Sequence, residues 1–142
     1  MKILVVEDSK VMRHLIRSIV GDVAEVFECD DGSQALGLYE EHQPDWVLMD
    51  IRMQNVSGIE ATRRIIAAHS DARVVIVTNY NDNRFRERAR VAGACDYVLK
   101  ENLSALKQIL TGPPWNQRAL SSVEVLLISR HGAGVAKRQR YW

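Results

Sequence analysis

Five short apolar runs, each followed by a segment of helical period, constrain this chain more than any other feature. The runs are KILVV (2–6), EVF (25–27), WVLM (46–49), RVVIV (73–77) and YVL (97–99). They are brief, β-branched or aromatic, and bounded by polar or turn residues, which marks strands. Between them, Met12, Leu15, Ile16 and Ile19 keep helical spacing and stop at Gly21, and Ala35, Leu36 and Tyr39 keep it until His42 to Pro44. A third helix starts at SGIE, where Ser57 and Glu60 stand three apart as a capping box, with Ile59, Thr62 and Ile66 on one face. A fourth runs from about Asp82 to Ala92 and closes at Gly93, and a fifth begins near Asn102, an N-cap candidate, with Leu103, Leu106, Ile109 and Leu110.

The resulting βαβαβαβαβα order forces a parallel sheet, because each helix must return the chain to start the next strand beside an earlier one. Right-handed crossovers then place helices on both faces. The uniformly apolar runs at 2–6, 46–49 and 73–77 suit central strands, whereas Glu25 and Glu28 interrupt the second run and predict an edge.

With 142 residues, 46% hydrophobic and 26% charged, the chain has room for one domain with a proper core plus an extension. No apolar run approaches the roughly 20 residues that span a bilayer, and the N-terminus meets acid too early for a signal peptide, so a cytoplasmic location is expected. Cys29 and Cys95 lie in apolar segments without metal-ligand spacing and read as reduced packing residues. Charge is divided unevenly. Residues 1–110 hold 14 Lys and Arg against 17 Asp and Glu, whereas residues 111–142 hold five basic residues against Glu124 alone. The two parts therefore have different jobs.

The polar residues that end the runs carry the chemistry. Glu7 and Asp8 follow the first strand, Asp50 the third, Thr78 the fourth and Lys100 the fifth. In an open parallel sheet these carboxyl ends share one edge, where ligands bind at the topological switch point. Three carboxylates so close raise one another's pKa unless a cation sits among them. Oxygen ligands without histidine or cysteine suit a hard ion such as Mg²⁺. Lys100 and Thr78 add a positive charge and a donor, which fit a phosphoryl group, and a carboxylate beside them is a nucleophile for phosphoryl transfer.

In ILVVEDS, VLMDIRM, SGIEATRRI, VIVTN and GACDYVLK the sequence resembles the receiver domain of two-component response regulators, over residues 1 to about 110. The resemblance implies a flavodoxin-like (βα)5 three-layer sandwich with a five-stranded parallel sheet of order 2-1-3-4-5. It implies a signalling switch rather than an enzyme, in which Asp50 accepts a phosphoryl group from a histidine kinase, a phosphotransfer protein or a small donor such as acetyl phosphate. Asp8, Asp50 and the backbone carbonyl of Arg52 would ligate Mg²⁺, with Glu7 acting through water. Lys100 would pair with the phosphoryl oxygens, and Arg52 and Asn79 would offer backbone contacts to them. Thr78 would move toward the phosphoryl group and Tyr97 would turn inward with it.

The chain departs from the family pattern at several positions. Gln54 and Glu101 stand where Pro is common, so no cis peptide is expected after Lys100. Asn79 replaces a small residue, and Arg52 and Tyr80 are large enough to shield a phosphoaspartate from water, so slow dephosphorylation is expected. In the fourth helix Phe85, Ala89 and Ala92 are spaced to face the sheet, leaving Arg84, Arg86, Arg88 and Arg90 outward. That basic helix, with the fifth strand and helix, is the output surface the resemblance implies, for a downstream protein or a homodimer.

Residues 111–142 read as a linker, TGPPWNQ, and a basic tail containing a second capping-box spacing at Ser121 and Glu124. A short helix and the remnant of an output domain both remain open. LSSVEVLLISRHGAGVAK bears a faint likeness to the opening of helix-turn-helix output domains, so the alternative function is a DNA-binding transcription regulator with a shortened output region. A basic and aromatic end such as AKRQRYW is more often a solvated terminus than a nucleic-acid contact. An aspartyl-phosphate phosphohydrolase would want a second Asp two residues after the nucleophile, where this chain has Arg52.

Overall fold

Each apolar run becomes a strand of a single sheet in the computed structural model, which describes residues 1–112. The strands are β1 (Lys2–Val6), β2 (Glu25–Cys29), β3 (Trp46–Met49), β4 (Val74–Thr78) and β5 (Asp96–Leu99). All pair in parallel in the order β2-β1-β3-β4-β5, so the fold is the flavodoxin-like (βα)5 sandwich. The helices are α1 (Lys10–Val20), α2 (Ala35–His42), α3 (Gly58–Ala68), α4 (Asn83–Ala92) and α5 (Ala105–Thr111).

Period-two alternation along the strands builds two cores. Leu4, Val6, Val47, Met49 and Ile76 point to one face, where Ala35, Ala61, Ile65 and Ala89 of α2, α3 and α4 cover them. Ile3, Val5, Leu48, Val75 and Val77 point to the other, beneath Ile16, Val20, Leu106 and Leu110 of α1 and α5. Each Val, Leu, Ile or Met side chain so removed from water contributes about 1.5–3 kcal/mol, and both faces of the central strands are used. The cysteines fall on opposite faces, Cys29 in the first core and Cys95 in the second. Burial pushes the Cys29 thiol up to about 11.

Several local expectations are corrected by packing. β2 continues to Cys29, because Glu25 and Glu28 lie at the exposed edge of the sheet and cost the ladder nothing. Glu28 there pairs with Arg17 at 2.8 Å. Leu15, expected on the core face of α1, is 45% exposed, since Ile16 and Val20 supply that face. On α3 the most buried side chains are Ala61, Thr62 and Ile65, with Ile59 and Ile66 at the margins. Asn102 is not an N-cap. Lys100–Asn102 form a 3₁₀ turn, and α5 starts three residues later, after Ser104.

The remaining helix starts follow their capping chemistry. Ser9 accepts from Met12 N, Ser57 from Glu60 N and Asp82 from Arg84 N, each cap contributing about 1 kcal/mol. Gly93 closes α4 with φ 107°, a conformation in which a side chain is strained. No peptide among the described residues is cis, in keeping with Glu101 after Lys100. No helix among them is long and apolar enough to cross a membrane. The expected tail lies, past Gly112, outside the described residues.

Gly58 sets the start of α3 hard against the end of β3. Its N–H donates to Ile51 O at 2.8 Å, and a Cβ there would lie 1.7 Å from Asp50 O. The obstacle is backbone and cannot swing aside. Gly58→Ala is therefore expected to cost ~1–3 kcal/mol or more, read as a lowered urea midpoint at unchanged slope.

Candidate functional site

Hydrogen bonds carry the sheet past the ends of its strands and so fix the residues that follow them. Glu7 N donates to Cys29 O at 3.0 Å and Asp50 N to Val6 O at 2.9 Å. The β1–α1 turn is braced further by Arg13, whose Nη1 donates to Glu7 O at 2.7 Å and Asp8 O at 3.1 Å. Ser9 N in turn donates to Glu7 Oε1 at 3.1 Å.

These constraints bring three carboxylates together. Glu7, Asp8 and Asp50 each present an oxygen within 4.8 Å of the others; Glu7 and Asp50 are buried and Asp8 is exposed. Lys100 reaches in from the end of β5, its Nζ 2.9 Å from Glu7 Oε2 and 3.3 Å from Asp50 Oδ1. Glu7 is only 1% exposed, and its Oε2 meets no hydrogen-bond donor beyond that ammonium among the described residues.

Among the described residues Lys100 is the one side chain in an ion pair with these carboxylates, and Arg13 meets only the backbone carbonyls of Glu7 and Asp8, which leaves the cluster short of cationic charge. Burial, and then the Asp50 charge, push the Glu7 carboxyl from 4.5 up to about 7 despite Lys100. Burial likewise raises Asp50, with Asp8 adding to the effect and Lys100 opposing it. Burial pulls Lys100 down, but its contacts with Glu7 and Asp50 outweigh this and hold the ammonium above its ordinary range. All three carboxylates are oxygen donors around one point, with an exposed member on the open side. That donor set and its charge deficit fit a hard divalent cation such as Mg²⁺.

The other residues singled out in the sequence lie on β4, β5, α4 and the loops after β3 and β4. Thr78 is fully buried, and its Oγ1 accepts from Tyr80 N at 3.2 Å. Tyr97 is turned inward, 7% exposed, and its hydroxyl donates to Tyr80 O at 2.6 Å. Arg86 lies 4.4 Å over the Tyr97 ring and donates to Asn81 Oδ1 at 3.2 Å. Arg86 is therefore half-buried and not an outward residue as the spacing suggested. Arg84 and Arg90 are paired with Asp82 and Glu87 on the helix surface. Arg52, after β3, and Tyr80, after β4, approach each other with the guanidinium 5.3 Å from the ring centroid, and Asn79, next to Tyr80 in the chain, is exposed.

Two residues with a part in this geometry were passed over in the sequence. Arg13 is hidden in a helical pattern. Asp31 follows β2 as Asp8 follows β1, so the strand-end rule that found the others would have found it. It is 5% exposed and accepts from Ser33, Asn55 and Val56 N–H groups. The Ser33 side chain first, and then those N–H groups, hold its carboxyl down to about 2.

The family model for the response regulator receiver domain matches residues 3–111. The chain is 35% identical over 119 residues to the response regulator GacA of Pseudomonas aeruginosa, covering 78% of this chain and 56% of that one. It is 34% identical over 116 residues to the chemotaxis protein CheY of Halobacterium salinarum, covering 78% and 97%. Among solved structures, a two-component response regulator of the LuxR family from Aurantimonas superposes with a TM-score of 0.76 at 32% identity, covering 91% and 95%. The chain belongs to the receiver domains of two-component response regulators. It spans little more than half the length of GacA.

A prediction follows from the charge deficit. In metal-free buffer the folded state holds a proton on Glu7 that the unfolded chain has released, so stability falls as pH rises from 4.5 to about 7. Mg²⁺ is expected to offset that loss at neutral pH. Urea midpoints measured across this range with EDTA and with Mg²⁺ check both, and parallel curves in the two buffers would remove the cation from the site.

Proposed function

We propose that the protein is a phosphorylation-controlled switch of a two-component system, with Asp50 as the phosphoacceptor. The observation that carries this reading is the Lys100 ammonium, which stands between Asp50 and Glu7 within reach of both. An Asp50 carboxylate oxygen attacks the phosphorus of a phosphohistidine. The P–N bond breaks, and its electron pair returns to the imidazole, which takes a proton. Lys100 exchanges part of its carboxylate contact for the incoming phosphoryl oxygens, so positive charge is already in place where negative charge arrives. Asp8, Asp50 and the Arg52 carbonyl would hold Mg²⁺, with Glu7 acting through water. Bound there, the ion supplies neutralising charge to the phosphoryl oxygens.

The Thr78 hydroxyl, which accepts from Tyr80 N–H, then moves to donate its own proton to a phosphoryl oxygen, and the backbone N–H groups of Arg52 and Asn79 offer further donors. Tyr97 shares Tyr80 with Thr78 through a hydrogen bond of its own, so movement of Thr78 changes the footing of Tyr97. The output is a change in partner binding at α4, β5 and α5, in the cytoplasm. The donor is a histidine kinase or a histidine phosphotransfer protein. The transcriptional regulatory protein DegU of Brevibacillus brevis, of which the chain spans 44%, and a DNA-binding response regulator of the LuxR family from Staphylococcus aureus favour as the second reading a DNA-binding transcription regulator.

Incubation with Mg²⁺ and acetyl phosphate tests the acceptor. One phosphoryl mass is expected on the parent and none on Asp50→Asn, by intact mass spectrometry; an unmodified parent would sink the proposal. The paired Arg52 and Tyr80 side chains are expected to shield a phosphorylated Asp50 from attacking water, so the phosphate is expected to be long-lived. Removing both side chains in Arg52→Ala with Tyr80→Ala is expected to speed its loss about tenfold, roughly 1.4 kcal/mol of barrier, in a phosphate-release assay.

A further inference from the structure

The segment 51–57 that follows Asp50 has few anchors of its own. It is clasped at its ends by Gly58 N to Ile51 O, and Met53 and Val56 are partly buried against the core. Arg52, Gln54 and Asn55 are exposed. The Arg52 backbone would nonetheless serve the cation and the phosphoryl group, and a small displacement there costs much in rate.

Asp31 supplies the missing anchor from another strand. Its Oδ1 accepts from Asn55 N at 2.9 Å, and its Oδ2 accepts from Val56 N at 3.3 Å and from Ser33 N at 2.9 Å. The neighbouring Gly32 lets the two turns touch, since a Cβ there would lie 2.4 Å from Val56 O. We infer that Asp31 is a positioning residue for phosphoryl transfer, which ties the β2–α2 turn to the loop after Asp50 and so fixes the backbone at Arg52. This rests on the acceptor reading above. A carboxylate is required because two oxygens serve two turns, one capping its own turn and both holding the loop. Asparagine offers one acceptor and a donor that the N–H groups cannot use.

The full chain is phosphorylated with acetyl phosphate over a range of Mg²⁺ concentrations, as parent, Asp31→Asn, Asp31→Ala and the core control Leu106→Ala. Asp31→Ala is expected to raise the Mg²⁺ concentration for half-maximal rate and lower the maximal rate, each about tenfold, with Asp31→Asn intermediate. Leu106→Ala destabilises the fold and is expected to leave the Mg²⁺ dependence where it was. If Asp31→Ala does not fold, Asp31→Asn carries the test. A folded Asp31 variant with the parent's Mg²⁺ dependence overturns the positioning role, as does a core control that shifts equally. A parent that takes no phosphoryl group overturns the acceptor reading first, and this role with it.

Discussion

Crowding of negative charge at one end of the sheet is the constraint on which the rest of the structure depends. Parallel strands must finish on the same edge, and here they finish on Glu7, Asp8 and Asp50. Two of these carboxylates are buried, and a single lysine sits among them. Such an arrangement works against folding, because desolvation and mutual repulsion both oppose ionisation. It persists because the two apolar cores, which cover every central strand on both faces, stabilise the sheet independently of its carboxyl edge. An edge under electrostatic stress is one that responds strongly to added positive charge.

The surrounding loops make that stress specific. Arg13 and Ser9 hold Glu7 and the β1–α1 turn, and Gly58 presses the start of α3 against Asp50. The carboxylates therefore cannot relax apart by moving their backbones. What relief the cluster has comes from a bound ion, a proton or Lys100.

Much of this was legible because its physics is local or periodic. β-branched runs, the cap at Ser57 and polar residues at strand ends each leave a mark within a few positions of sequence. Leu15 misled because helical spacing alone cannot say which residue of an apolar pair meets the sheet; Ile16 and Val20 already fill that face. Asn102 misled because a 3₁₀ turn at Lys100–Asn102 delays the helix while using the same residue types. Asp31 stands at a strand end, where the rule for the other acids applies, but its partner Asn55, like the Tyr97 partner of Arg86, is more than 10 residues away, and pairings of that kind leave no spacing to count.

The stacking of Arg86 on Tyr97 links chemistry to surface in an unequal way. Arg86 belongs to α4, on the proposed output face, yet the ring it covers is hydrogen-bonded to the loop beside Thr78. Substitutions on α4 can thus alter how readily Tyr97 leaves its inner position without touching a single oxygen of the acid cluster. Resting activity and phosphate handling are in that sense separate dials, and a lineage can retune the first while the second stays as it is.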